Sequence, residues 1–399
     1  MTSTRASKTT LFGKLVPLGI PLAWLQLVAE KKRFAAALAG ITFAVIMMLF
    51  QIGLKTALFD QVVAPHIQMK GDVVIVEHDF EYLGLSHVFT KRRLTAAYGL
   101  PEVSETAGLY IGNLPMKNPV TTANRDILVL AFDPTEQPFF TDQITRQQHK
   151  LRIPGTALFD TLSRKEFGPI EALYQKEGPV QTEVAGKRIE VDGLFQMGAT
   201  FAADGNILMN VDDFMEIWPH AHPNLINVGL ITLKPGESPS RAAERLRSIL
   251  PNDVRVMTMA EFIQLEKDYW AERTPIGFVI TASMLVAVVV GAVIVYQILY
   301  TDVTDHLPEY ATLKSIGFTD GYFVNLILQE SLILSVLGFI PGTIITAGLY
   351  YLTRELAYMP TYLTVFNVSI VFLLTVVMCG VAGLLATRKL RHANPADIF

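Results

Sequence analysis

Apolar residues gather in four charge-free stretches, Phe34 to Leu54, Ile276 to Tyr300, Ser331 to Thr353 and Leu356 to Thr387, with a polar block between the first and the other three. Each reaches the roughly 20 residues that a helix needs to cross about 30 Å of hydrocarbon, so each is predicted to span a membrane. Valine and isoleucine are frequent in them. In hydrocarbon, however, every backbone N–H and C=O must be paired within the segment, and that requirement overrides β-propensity. The predicted class is an α-helical membrane protein with four transmembrane helices, one plus three, and a large α+β extracytoplasmic domain between the first and second.

Within the polar block, Asp60 to Arg273, apolar runs bounded by Gly, Pro, Asn and Asp predict strands at Asp72 to Val76, Ile127 to Phe132, Ile189 to Phe195, Asn206 to Asn210 and Val228 to Leu233. A helix is expected over Pro239 to Leu250, capped by Ser238, with Ala242, Leu246, Ile249 and Leu250 on its apolar face. With the strand before it and the Asp253 to Met257 run after it, this makes a β-α-β unit in a domain of one or two lobes. Thr258 and Glu261 have capping-box spacing, and a continuous helix from Thr258 to Pro275 would project about 25 Å at 1.5 Å per residue. The first span likewise continues through Lys55 to Ala64 until Pro65 stops it. Two stiff stalks are therefore expected at the edges of the block, able to carry motion that a flexible linker would dissipate.

Lys and Arg flank the ends of the chain: Arg5, Lys8, Lys14, Lys31, Lys32 and Arg33 precede the first span, and Arg388, Lys389 and Arg391 follow the last. The positive-inside rule places both ends in the cytoplasm and the large block outside. Trp270, Tyr350, Tyr351, Tyr358 and Tyr362 fall near the outer interface so defined, and Tyr296 and Tyr300 near the inner one. The first span reads as a retained anchor, because its small residues Ala35 to Ala37 lie at its entrance rather than at a cleavable exit. Before it, Pro21 to Arg33 places Leu22, Trp24, Leu25, Leu27 and Val28 among Gln26, Glu30, Lys31 and Arg33, which reads as a short helix along the inner surface or as a plain entry flank to the first span. The single cysteine, Cys379, lies in the fourth span, so the outer block must hold itself by an apolar core. A net charge of −4 with no basic, aromatic-interleaved patch gives no reason to expect nucleic acid.

The connection between the second and third spans is longer than a loop needs. Pro308 to Gly317 reads as a helix with proline in its first turn and glycine at its end, with Leu307, Tyr310, Ala311, Leu313 and Ile316 on one face and Glu309 and Lys314 elsewhere. Such an element on the cytoplasmic side is one that a partner can grip. Asn325, Gln329 and Glu330 follow at helical spacing at the start of the third span, and ionisable groups near hydrocarbon are functional candidates. Glu330 either pairs within the bundle or across a dimer, or sits solvated at headgroup depth. His220 and His222 have metal-like spacing but lie between Pro219 and Pro223 with no third ligand beyond Asp212 and Asp213, so a surface turn is expected rather than a metal site. Lys91, Arg92 and Arg93 form a solvated basic face, with an adaptor protein or lipid headgroups as the alternative contact. No nucleophile, paired-acid or zinc arrangement predicts catalysis in this chain.

The run Glu309-x-x-x-Leu313-Lys314-x-x-Gly317, then Gln329, Glu330 and Gly338 in the next span, and the basic C-terminal ending with Pro395 resemble the pattern of the FtsX/MacB superfamily of ABC transporter permeases, most closely the DevC type. The layout covers the whole chain and the motif its last third; Tyr310 and Ala311 replace a smaller or aliphatic pair. The resemblance implies a coupling helix made of Glu309, Tyr310, Leu313, Lys314, Ile316 and Gly317. It also implies a second permease copy, and a cytoplasmic ABC ATPase subunit that carries ATP and Mg while this chain binds no cofactor. No G-x-x-x-x-G-K-[ST] loop is present, so the ATPase is expected to be another chain. An HlyD-like periplasmic adaptor, a TolC-like outer-membrane channel and membrane lipids complete the implied partners. The implied function is export of an amphiphile such as a glycolipid from a bacterial inner membrane by mechanotransmission; activation of wall hydrolases or release of lipoproteins is the rival output, and a membrane-anchored sensor a more distant one.

The expected division is a cytoplasmic segment at 1–33, the first span and stalk at 34–59, the outer domain at 60–257, and the second stalk and span at 258–305. The coupling helix follows at 306–319, the third span at 320–353, the fourth at 356–387 and the tail at 388–399.

Overall fold

The structure, a computed structural model, describes residues 24, 27–28, 31–85, 87–200, 202–218, 221–357, 359 and 361–392. Most of the expected surface helix at Pro21 to Arg33, His220, Tyr358 and the tail beyond His392 lie outside those residues. The chain divides into two compact units, Met1–Ala57 with Phe278–Phe399, and Leu58–Gly277. Helices α1 (Lys31–Val62) and α2 (Ala64–Gln68) lead into β1 (Val73–Glu77), β2 (Phe89–Thr90), α3 (Lys91–Ala97), β3 (Val103–Lys117) and β4 (Asn124–Phe132). Next come α4 (Asp142–Gln147), β5 (Thr156–Asp160), α5 (Ile170–Glu177), β6 (Val180–Val184), β7 (Lys187–Phe195), β8 (Asn206–Asn210) and α6 (Val211–Ile217). The chain then forms β9 (Leu225–Ile226), β10 (Val228–Leu233), α7 (Pro239–Ile249), β11 (Val254–Thr258), α8 (Met259–Asp268), α9 (Pro275–Asp305), α10 (Leu307–Ser315), α11 (Asp320–Ala357) and α12 (Val365–His392).

Four of these helices, α1, α9, α11 and α12, are long and apolar enough to cross a membrane. They pack through small residues, as helices do where lipid offers no hydrophobic contrast. A Cβ on Gly338 of α11 would lie 2.6 Å from Ile41, one on Gly342 2.7 Å from Val45, and one on Gly291 of α9 2.8 Å from Ala44, so α1 is seated in glycine notches. Pro341 interrupts the α11 ladder between the first two notches, and the Thr42 hydroxyl donates to the Gly338 carbonyl beside it at 3.2 Å. The Tyr350 hydroxyl donates to the Leu49 carbonyl through the space that Gly53 leaves open.

The fourth helix begins later than the apolar run predicts, at Val365 rather than Leu356. Apolarity alone does not see that Pro360 biases Met359 away from helix. The end of α11 is tied there instead: Thr361 donates to the Tyr350 carbonyl at 3.1 Å, and Arg354 donates to the Thr361 carbonyl at 2.8 Å.

The unit Leu58–Gly277, called the outer unit after the side of the membrane expected for it from sequence, is built on nine strands in the order β11-β1-β10-β3-β4-β8-β5-β7-β6, with β2 and β9 as a separate pair. The long strand β3 changes partners along its length. Its first half, Val103 to Leu109, pairs with β10, and its second half, Tyr110 to Lys117, pairs with β4. Beyond β4 the strands curl until β6 meets β3 again at Val184 and Met116, where the Ala185 amide donates to the Pro115 carbonyl at 2.8 Å. Six strands thus close a ring, and four form an open sheet. Two apolar cores lie on the opposite faces of this array, so β1 is buried on both sides: Val73 and Ile75 face one, Val74 and Val76 the other.

The β-α-β unit of β10, α7 and β11 is present, with β1 inserted between its strands. Ile249 is exposed and Ala243 takes the inner place expected for it; Ser238 sits at the N-cap without a side-chain capping bond. Pro65 does not simply stop α1 but stands in the first turn of α2, where its missing N–H has no helical partner to lose. The second stalk is not one helix either. After α8 come a π turn, Tyr269–Arg273, and an extended Thr274, because the Pro275 ring disfavours a helical residue before it.

The capping box that opens α8 is complete: the Glu261 amide donates to the Thr258 hydroxyl at 3.2 Å, and the Thr258 amide to the Glu261 carboxylate at 2.8 Å. That amide, aided by Arg247, holds the Glu261 carboxyl below its ordinary 4.5. A depressed carboxyl contributes stability that is present above its unfolded pKa and lost as pH falls through its folded one. On acidification from about pH 5 toward 3, a Glu261→Gln variant is therefore expected to lose less of its thermal midpoint than the parent protein. Parallel melts at stepped pH check this; equal losses would refute it.

Candidate functional site

The helix expected between the second and third spans forms as α10. Its inward side is set by Tyr310, only 2% exposed, whose ring lies 5.4 Å from Phe323 and 6.2 Å from His306, with Ala311 buried beside it. Leu307 and Leu313 pack partly buried against the same core, which includes Val303, Leu326 and Ile327. Gly317, at φ +110°, ends the helix in a Schellman turn. The Phe318 amide reaches the Leu313 carbonyl at 3.2 Å and the Gly317 amide the Lys314 carbonyl at 3.1 Å. Lys314, half-buried, is paired with Asp320 at 3.0 Å, in the first turn of α11, where a carboxylate also suits the helix dipole.

Ile316 does not join the inner face as its spacing predicts. It is 71% exposed, because it occupies the C-cap, where the chain turns away from the bundle. The outer surface of α10 accordingly presents Glu309, Thr312, Ser315 and Ile316, followed by Phe318, all exposed. An acid, two hydroxyls and an apolar tip on a helix fixed at both ends make a small, shaped contact for another protein.

Among the polar residues of α11, Asn325 is exposed and Gln329 half-buried one turn on, while Glu330 has no solvent exposure. Glu330 is thus enclosed by the helices around it rather than solvated. Ser331, next to it, donates to the Ile327 carbonyl at 2.7 Å and fills the notch at Gly383 of α12.

Two sites in the outer unit were not read from sequence. Glu266 of α8, 2% exposed, accepts from the Leu83 amide at 2.9 Å and the Trp270 indole at 3.0 Å, and lies 3.3 Å from Nε2 of a fully buried His66 in α2. His66 and Glu266 are far apart in the chain, and neither belongs to a motif. Asp160, also fully buried, accepts from the amides of Leu162, Met197 and Gly198 and from the Asn206 side chain, which ties the end of β5 to β7 and β8. Burial pushes its carboxyl above the ordinary 3.8, against the pull of those donors. Of the basic run, Lys91 pairs with Glu136 at 3.1 Å and Arg93 with Asp253 at 2.9 Å, so two of the three are used within the unit. His222 accepts the Asn224 amide on Nδ1 at 3.1 Å, a turn contact.

Residues 281–395 match the model of the FtsX-like permease C-terminal family. Over that stretch the chain is similar to FtsX-like permeases. The matched stretch contains most of α9 and all of α10, α11 and α12, so the candidate helix lies inside it. Permeases of this family are non-catalytic transmembrane subunits of ABC transporters and work with an ABC ATPase. Among solved structures, the periplasmic region of MacB from Actinobacillus actinomycetemcomitans is similar at 10% identity and a TM-score of 0.34, covering 49% of this chain and 92% of that one. The extracellular domain of the ABC-type transporter YknZ from Gram-positive bacteria matches at 14% identity and a TM-score of 0.31, covering 46% and 98%.

Proposed function

We propose that this chain is the permease subunit of an ATP-driven exporter of the DevC type, in which α10 transmits the motion of a separate cytoplasmic ATPase. On this reading two permease copies dimerise, and ATP and Mg stay on the ATPase. The outer unit moves to pass an amphiphile such as a glycolipid to an HlyD-like adaptor and a TolC-like channel. The protein sits in a bacterial inner membrane with both termini cytoplasmic and the outer unit periplasmic.

The observation that carries the proposal is the two-sided character of α10, its inner face docked by Tyr310 and its outer face open. A helix fixed to the bundle and exposed along one side moves the bundle when it is pushed.

The test is co-expression with the ATPase encoded nearest to this gene, followed by reconstitution and measurement of vanadate-sensitive ATP turnover. Ile316→Asp is expected to cut copurification and permease-dependent turnover by about tenfold, the equivalent of roughly 1.4 kcal/mol, with the permease's own melting unchanged. Unaltered turnover would refute the coupling role. Cys379 is the sole cysteine, so Ser315→Cys in a Cys379→Ser background reports sidedness; labelling of Cys at 315 from outside intact cells would overturn the orientation.

A further inference from the structure

Where α1 starts and α9 ends, a cavity of about 280 Å³ opens in the membrane unit, lined by Leu27, Phe34, Ile298 and Leu334 together with Arg33, Gln297 and Thr301. The polar members are ordered. Gln297 and Thr301 stand one turn apart on α9, with the Thr301 hydroxyl donating to the Gln297 carbonyl at 2.9 Å, and Asp305 continues the stripe to pair with Arg33 at 2.7 Å. On the α1 side Lys31, Lys32 and Arg33 are consecutive and exposed. An apolar hollow is thus rimmed by a polar stripe, by Lys31 and Lys32, and by Arg33, which lines it and is shared with the Asp305 carboxylate, leaving the rim net positive.

The geometry points to a binding site for one anionic phospholipid, its acyl chain in the hollow beside Phe34 and its phosphate at Arg33. The cavity lies at the low end of ligand-pocket volumes, room for a stretch of acyl chain and too little for a folded segment. Hydrocarbon suits its walls. Basic residues beside a membrane helix favour acidic headgroups over zwitterionic ones, and an arginine at the rim provides the planar N–H donors that a phosphate accepts. A fatty chain alone would satisfy the hollow but not the cations, and a soluble phosphate the reverse; the pairing of the two selects a lipid. Placement in the inner leaflet rests on the orientation proposed above, whereas the binding itself does not. The site also adjoins the root of α10, because Asp305 ends α9.

The test uses the full chain in nanodiscs of phosphatidylcholine carrying a minority of a phospholipid with a photoactivatable acyl chain, with either a glycerol or a choline headgroup, and maps adducts by peptide mass spectrometry. Val293, exposed on α9 one turn before Gln297 and not part of the lining, supplies the internal reference. Adducts at Phe34 to Ala37 and at Ile298, normalised to Val293, are expected to be roughly threefold more abundant with the anionic headgroup. Arg33→Gln should remove that preference and leave labelling at Val293 intact. Ala36→Phe, which fills the hollow, should reduce the cavity adducts with both headgroups. Equal labelling by the two lipids, a preference that survives Arg33→Gln, or labelling of Val293 with none in the cavity, as when another part of the chain occupies it, would each overturn the proposal. Because no ATPase is present, the outcome is independent of the coupling test.

Discussion

Glu266→Ala is expected to destabilise the outer unit by about 3–5 kcal/mol. The side chain is buried, and three donors or potential donors converge on it: the Leu83 amide, the Trp270 indole and the His66 imidazole. Alanine leaves all three in a dry site, where Phe262 packs 4.7 Å from the His66 ring and Phe80 5.3 Å from Phe262, and no water replaces the carboxylate cheaply. For a unit of this size the cost corresponds to a fall in melting temperature on the order of 10 °C. Tryptophan fluorescence during thermal unfolding of the detergent-solubilised protein measures it, with Trp270 next to the lesion. Glu266→Gln, which keeps one acceptor oxygen, should fall between the two; a loss under about 1 kcal/mol for alanine would show that the cluster is peripheral to stability.

A second large effect is expected of Tyr310→Ala. Deleting a buried aromatic ring costs about 3–5 kcal/mol in a well-packed core. Here it removes the main anchor of a nine-residue helix, so the loss should appear as local undocking and leave the rest of the bundle folded. Hydrogen exchange should show residues 307–317 losing protection while the outer unit keeps its own, and ATPase-dependent turnover should drop at least as far as with Ile316→Asp. Tyr310→Phe retains the ring and should retain most of the docking. If the alanine variant exchanged like the parent protein, the helix would be held by Leu307, Leu313 and the Lys314 to Asp320 pair instead.

What the sequence reveals and what it hides follow the range of the interaction. The four spans, β8 and β10 are set by local composition and their ranges or types are legible in it. So is the turn at Gly317, because a left-handed residue after a helix selects glycine. The strand β3 was missed: Gly108, Gly112 and Pro115 interrupt its pattern, and Pro115 is tolerated because its carbonyl, not its absent N–H, meets β6. Ile249 and Ile316 have inward spacing yet end up exposed, since each sits at or next to the last residue of its helix, where periodicity no longer describes the path. The cluster of His66 and Glu266 is beyond any local reading. Its members come from the two edges of the outer unit, and only the completed fold places them 3.3 Å apart.

The partner change along β3 limits how this protein can be remodelled. A strand with one half woven into an open sheet and the other into a closed ring leaves no seam at which one portion can be excised as a cassette; removing either exposes a raw edge on the other. Chimeras that exchange outer units between related chains should therefore succeed when cut near residues 58 and 277 and aggregate when cut within 103–117.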